Sequence, residues 1–309
     1  TATTRSRTAK VAAEKIGSFG SYLARLMAAQ GETQRHLGQV TGIDRSMISR
    51  LMSGHRPPSR QTVSALAEAL NLEFPTAVTF FTAAGYVHPL VHKCFLEGAP
   101  VNVNDIIPTI DPATIPDRPS VDVIEIMLGL RKKTYSGFAQ LEATRGFLLP
   151  EVSLSSSKGQ EIVRILIMRG IEEVLEFTEA NDRAHQLEEL IDAWNYFISL
   201  TILDPKLDQF QAITGLSEAF TYANFGTTDQ QYDVTGPILR VISPFLATLR
   251  NRPWQNHAQS LYFDGYPQLL ELLYVVTQTL ATYFNSWEEF YLYFLAKDDV
   301  LQFRLRTRY

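Results

Sequence analysis

At 309 residues the chain has room for two domains of roughly 100–200 residues each, and 45% hydrophobic with 11% aromatic residues excludes a disordered polymer. One cysteine, Cys94, excludes an intrachain disulfide framework and a multi-cysteine zinc site, and fits a reducing cytoplasm. The net charge of −5 is unevenly divided: residues 1–70 hold ten Lys/Arg against four Asp/Glu, which leaves −11 on the other 239 residues, so a polyanionic partner is expected for the head alone.

Residues 1–17 read as a basic arm bearing Arg5, Arg7 and Lys10. No apolar core interrupts its polar sequence, so no secretory leader is expected, and no run of about 18 apolar residues predicts a membrane span. Apolar periodicity places a helix over 18–30, with Phe19, Tyr22, Leu23 and Leu26 on one face. Short helices follow at 33–41, 44–53, 60–70 and 75–84, punctuated by Gly31, Gly42 and the GHRPPS turn at 54–59. They make one domain over 18–87. Prolines at 89, 100, 108, 112, 116 and 119 exclude a helix through 88–120, which reads as an extended linker docked through Ile106, Ile107 and Ile115. Long amphipathic runs at 121–145, 159–180, 185–203, 233–250, 267–284 and 286–304 predict an all-α bundle over 121–309, with a polar loop at 223–232. No internal repeat of fixed period is present.

TQRHLGQVTGIDRSMISRLMSGHRPPS, within residues 19–84, resembles the Xre/Cro-like helix-turn-helix domain of phage repressors. Gln34 opens the second helix, Gly42 makes the turn, Ile48 faces the core, and Leu51 with Gly54 closes the recognition helix. The resemblance implies double-stranded DNA as partner. Arg45, Ser46, Ser49 and Arg50 would meet base edges in the major groove, and Gln34, Arg35 and Arg56 would lie near phosphates.

The body poses a separate problem. GIEEVLEFTEANDRAHQLEELIDAWNYF, residues 170–197, places EExxE and ExxD twelve residues apart inside apolar runs. On a helix, residues three apart share a face, so Glu173 pairs with Glu176 and Glu189 with Asp192. If the short NDRAH turn folds the two helices antiparallel, four carboxylates converge. Such a set repels itself unless cations intervene, and oxygen-only ligands suit Mg²⁺ or Mn²⁺. His185 reads as a surface turn residue, and Trp194, Tyr196 and Phe197 as core. The absence of GxxxxGK[ST] and GxGxxG strings excludes P-loop and Rossmann readings.

The spacing Glu172-Glu173-x-x-Glu176, then Glu189-x-x-Asp192, resembles the all-α nucleoside triphosphate pyrophosphohydrolases of the MazG and dimeric dUTPase superfamily, and ELIDAWNYFISL is similar to the dimeric dUTPase form of the second motif. The closing stretch FLAKDDVLQFRLRTRY resembles a phosphate-binding helix of pattern YLxKNxxNxxR: Lys297 and Arg304 fall in register, while Phe294, Asp298 and Leu301 depart from it. The resemblance implies metal-dependent hydrolysis of a (d)NTP, dUTP among the candidates, to the monophosphate and pyrophosphate. Glu173, Glu176, Glu189 and Asp192 would hold the metal, Glu172 would support a ligand or orient the attacking water, and Lys297 and Arg304 would bind phosphates. The departures bear on nucleobase choice more than on metal chemistry. They leave two alternatives open: a transcription regulator whose body senses a nucleotide, and a head that serves docking or oligomerisation. Both resemblances imply a homodimer.

Overall fold

The computed structural model describes residues 18–95, 104, 107, 115–141, 151–227, 233–250 and 263–307. The basic arm at 1–17 and Ile106 lie outside them. Every regular element among the described residues is helical, as the periodicity predicts. No helix among them is long and apolar enough to cross a membrane.

The N-terminal unit begins with five helices: α1 (Phe19–Gln30), α2 (Gln34–Thr41), α3 (Arg45–Met52), α4 (Arg60–Ala69) and α5 (Phe74–Ala84). Ser18, Thr33, Asp44 and Ser59 cap the first four, each side-chain oxygen accepting a backbone N–H two or three residues on. Gly42, at φ 72°, ends α2 in the left-handed conformation and sets the turn into α3. A Cβ on Gly20 would stand 2.3 Å from the Met52 carbonyl oxygen, so glycine is what lets α1 close onto the end of α3. Phe19, Leu23, Leu37, Ile48, Leu66 and Phe80 fill the core, all 2% exposed or less. Phe303, from the end of the chain, completes that core. The last helix, α12 (Trp287–Thr307), accordingly belongs to the larger unit up to Asp298 and to the N-terminal unit from Asp299 onward.

Six further helices complete the larger unit: α6 (Val121–Leu141), α7 (Ser157–Glu179), α8 (Arg183–Leu203), α9 (Gln209–Thr221), α10 (Thr235–Thr248) and α11 (Tyr266–Ala281). Two elements depart from the sequence reading. Pro89–Phe95 winds into a short 3₁₀ helix inside the stretch read as extended. α9 forms where no helix is read, although Asp208 caps it and Ala212, Leu216, Ala219 and Phe220 recur at helical spacing. Ile107 is buried and Ile115 half-buried.

α8 is the axis of the bundle, buried around most of its circumference and packed against α6, α7, α11 and the 3₁₀ turn. Trp194 anchors it. The indole N–H donates to Thr277 Oγ1 at 3.0 Å, and Phe220, Phe290 and Phe294 meet the ring within 5.7 Å. Phe197 lies directly over Gly170, where a Cβ would come within 2.8 Å of the ring. Glycine one turn before the EExxE motif thus brings α7 and α8 together where the carboxylates lie.

Candidate functional site

Two groups of polar residues stand out, one in each unit. In the head, α3 presents Arg45, Ser46, Ser49 and Arg50 on an exposed surface, and Arg35 and Arg56 are exposed as well. Arg50 folds back along its own helix, donating to the Ser46 carbonyl at 3.3 Å and to Ser46 Oγ at 3.1 Å. Arg35, Arg45 and Arg56 make no hydrogen bond or ion pair among the described residues. Gln34 is half-buried, its amide donating to Met52 Sδ at 3.3 Å, which ties the start of α2 to the end of α3. An exposed set of cations on and around the third helix suits a polyanion better than a protein core.

In the body, the turn at 180–182 folds α8 back on α7, with Asp182 accepting the His185 N–H at 2.9 Å. The result brings Glu173 and Glu176 of α7 against Glu189 of α8. One carboxylate oxygen from each lies within 4.8 Å of the others, a spacing a single cation could bridge. Asp192, the fourth predicted ligand, turns instead to Lys297, which reaches its Oδ2 at 2.5 Å and Glu188 Oε1 at 2.7 Å. Lys297 and Glu188 are both buried. Glu172 sits outside, paired with Arg169 at 2.9 Å in solvent.

The electrostatics follow from burial. Glu173 is pushed up to about 9 by desolvation first, then by the charges of Asp192, Glu189 and Glu176, so it holds a proton that it shares with Glu189. Burial, Glu189 and Glu172 also raise Glu176, against the pull of His185. Burial raises Asp192 to about 6 even beside Lys297. Glu189 moves the other way. Burial works against its ionisation, but hydrogen bonds from His185 and Glu173 and the charge of Lys297 outweigh it. Five carboxyl groups therefore gather around one lysine and one histidine, an excess of negative charge that only a cation or a proton can relieve.

The structure corrects one residue: His185 is not merely a surface turn residue, since its Nε2 lies 2.7 Å from Glu189 Oε1. It also separates the two proposed phosphate ligands. Lys297 is an ion-pair partner of the acidic site, whereas Arg304 packs within the N-terminal unit, donating to the Gly85 carbonyl at 2.8 Å. Asp298 accepts from Thr134 Oγ1 at 2.6 Å. Trp194 and Phe197 are core, as read; Tyr196 is only half-buried, one turn beyond Asp192 on α8, and burial, then the charges of Asp192 and Glu173, push its phenol pKa up. Glu188 was not legible as a site residue. Glu188 lies one position from a motif glutamate, but nothing local marks it as facing Lys297, 109 residues away.

Residues 18–77 match the family model of a helix-turn-helix domain. No curated protein and no solved structure matches the chain. The N-terminal unit thus contains a helix-turn-helix domain, an architecture of DNA-binding transcription regulators, in a chain whose described elements are all helical.

Proposed function

We propose that the protein is a DNA-binding homodimer whose helical body is a metal-dependent nucleoside triphosphate pyrophosphohydrolase of the dUTPase-like kind. What carries this reading is the convergence of Glu173, Glu176 and Glu189 from two helices onto one point, with Glu173 holding a proton that a cation would displace. The donor set fits a hard divalent cation such as Mg²⁺ or Mn²⁺: three carboxylates face one another, and Asp192 lies one turn beyond Glu189, within electrostatic reach of Glu173. When bound there, the ion would neutralise phosphate charge and acidify a water. The chain's residues do the rest. Glu173, Glu176, Glu189 and Asp192 hold the ligand face of the site. The ordered helices α7 and α8 fix their spacing. Glu189, kept ionised by His185 and Lys297, can ligate a cation without first losing a proton, and Glu172 is the carboxylate left to orient the attacking water. Attack at the α-phosphorus then breaks its bond to the bridging oxygen, releasing the monophosphate and pyrophosphate.

One observation favours a second reading. Lys297 is engaged by Glu188 and Asp192, and Asp298 by Thr134, where the resembled helix would turn lysine and asparagine toward substrate. This suits a regulator whose body senses a nucleotide and releases Lys297 only on binding. The distinguishing experiment supplies Mg²⁺ and each common dNTP and NTP in turn and measures pyrophosphate. Turnover with dUTP or another triphosphate, lost in Glu176→Ala and Asp192→Ala, supports the enzyme. No turnover across the whole panel leaves the sensor.

A further inference from the structure

Arg131 of α6 is 7% exposed, the most deeply buried arginine among the described residues of the body. Its Nε–H is committed to α8, pointing at the Asn195 carbonyl at 3.0 Å and Ser199 Oγ at 2.8 Å. No described residue accepts a hydrogen bond from Nη1 or Nη2. A guanidinium carries five N–H donors, so most of its donor capacity remains. Burial lowers the pKa of Arg131, an effect that Tyr196, Asp192, Asp298 and Tyr135 partly offset. Two of them are otherwise occupied: Asp192 accepts from Lys297 and Asp298 from Thr134. Neither carboxylate fills the outer edge of the guanidinium. A structural role for Arg131 accounts for Nε alone.

The position of this edge is informative. Asn195, whose carbonyl the Nε–H reaches, lies one turn beyond Asp192 on α8, and Thr134, one turn beyond Arg131 on α6, meets Asp298 beside Lys297, so Arg131 sits next to the Lys297 end of the carboxylate group. The neighbouring lysines do not compete for the role. Lys132 and Lys133 are exposed, and Lys132 pairs with Glu151 at 3.6 Å.

We propose that the open Nη edge of Arg131 is an anion subsite that grips the polyphosphate of the ligand held at the carboxylate group. The planar fork matches two oxygens of one phosphate, which a buried lysine would not do. The proposal rests on the nucleotide reading of that group and adds to it a ligand contact from a helix that neither acidic motif includes.

The test uses the full chain, with inorganic tripolyphosphate as the probe and Mn²⁺ binding followed separately by electron paramagnetic resonance. Arg131→Lys keeps the buried charge and removes the fork; Arg131→Met removes both. In the lysine variant Mn²⁺ binding should be unchanged while tripolyphosphate affinity, read by calorimetry with Mn²⁺ present, falls about tenfold or more, the loss expected for a charge-assisted pair. Unchanged tripolyphosphate affinity in the lysine variant overturns the subsite, as does parallel loss of Mn²⁺ and tripolyphosphate binding, which would make Arg131 a structural cation. Wild-type protein that binds Mn²⁺ but no tripolyphosphate also overturns it while sparing the metal site. Tripolyphosphate binding that depends on Arg131 in a protein that takes up no Mn²⁺ supports the subsite and sinks the carboxylate reading.

Discussion

The two units hold their charges in opposite ways. The head turns its arginines outward from α3 and its surroundings, where water screens them and a partner can reach them. The body turns Glu188 and Glu189 inward beside Lys297, all 8% exposed or less, with Glu173 and Asp192 half-buried and Glu176 at the exposed rim. The first arrangement costs little and advertises a binding surface. The second is unfavourable by itself, since each buried charge must be matched. A surface charge thus points to a partner through its sign and pattern, whereas a buried one points to a ligand through its incomplete compensation.

The largest expected effect breaks the inward arrangement. Lys297→Met leaves Glu188 and Asp192 without their cation and should destabilise the protein by about 3–5 kcal/mol, read from chemical denaturation. Adding Glu188→Gln should recover part of the loss; no recovery would mean the pairing is not what Lys297 contributes. Phe303→Ala tests the head's dependence on the end of the chain. Removing that ring from the helix-turn-helix core should cost about 3–5 kcal/mol and weaken DNA binding. A variant as stable as the parent would mean that α12 does not belong to that core.

The pH dependence sharpens the same contrast. Glu173 sits at about 9 in the folded chain against an ordinary 4.5, so its contribution to stability is present below 4.5 and lost as pH rises toward 9. Asp192, raised to about 6, acts in the same direction at lower pH. Metal-free protein should therefore melt at a lower temperature at pH 8.5 than at pH 5.5, and Mn²⁺ should raise the melting temperature more at pH 8.5. Equal metal stabilisation at both values would contradict a protonated Glu173. The smallest effect belongs to the head. Arg45→Ala should weaken operator binding by about 1–3 kcal/mol with less loss on random DNA. Equal losses would place Arg45 on phosphate.

Much of this was legible in the sequence. Caps, glycines and apolar period locate the five helices of the head, because local hydrogen bonding and side-chain spacing decide them. Of the four carboxylates that the EExxE and ExxD spacings are expected to bring together, Glu173, Glu176 and Glu189 meet, since the short turn packs α7 and α8 antiparallel, while Asp192 turns to Lys297. What escaped was set by distant packing. Lys297 meeting Glu188, Arg131 reaching Asn195 and Ser199, and Phe303 entering the head's core each join residues at least 64 positions apart, and no local pattern encodes which face meets which. Arg304 shares a helix with Lys297 and stands in register with it, yet it belongs with Gly85 to the N-terminal unit and donates to that residue's carbonyl. Motif register alone does not say where a side chain ends up.

The most direct test of the central claim is a calorimetric titration of the full chain with Mn²⁺ at pH 7.5, repeated in buffers of different ionisation enthalpy. A cation site at Glu173, Glu176 and Glu189 should bind the ion, release about one proton as Glu173 ionises, and lose affinity in Glu189→Gln. Absence of binding at millimolar Mn²⁺, or binding with no proton release and no dependence on Glu189, would contradict the account.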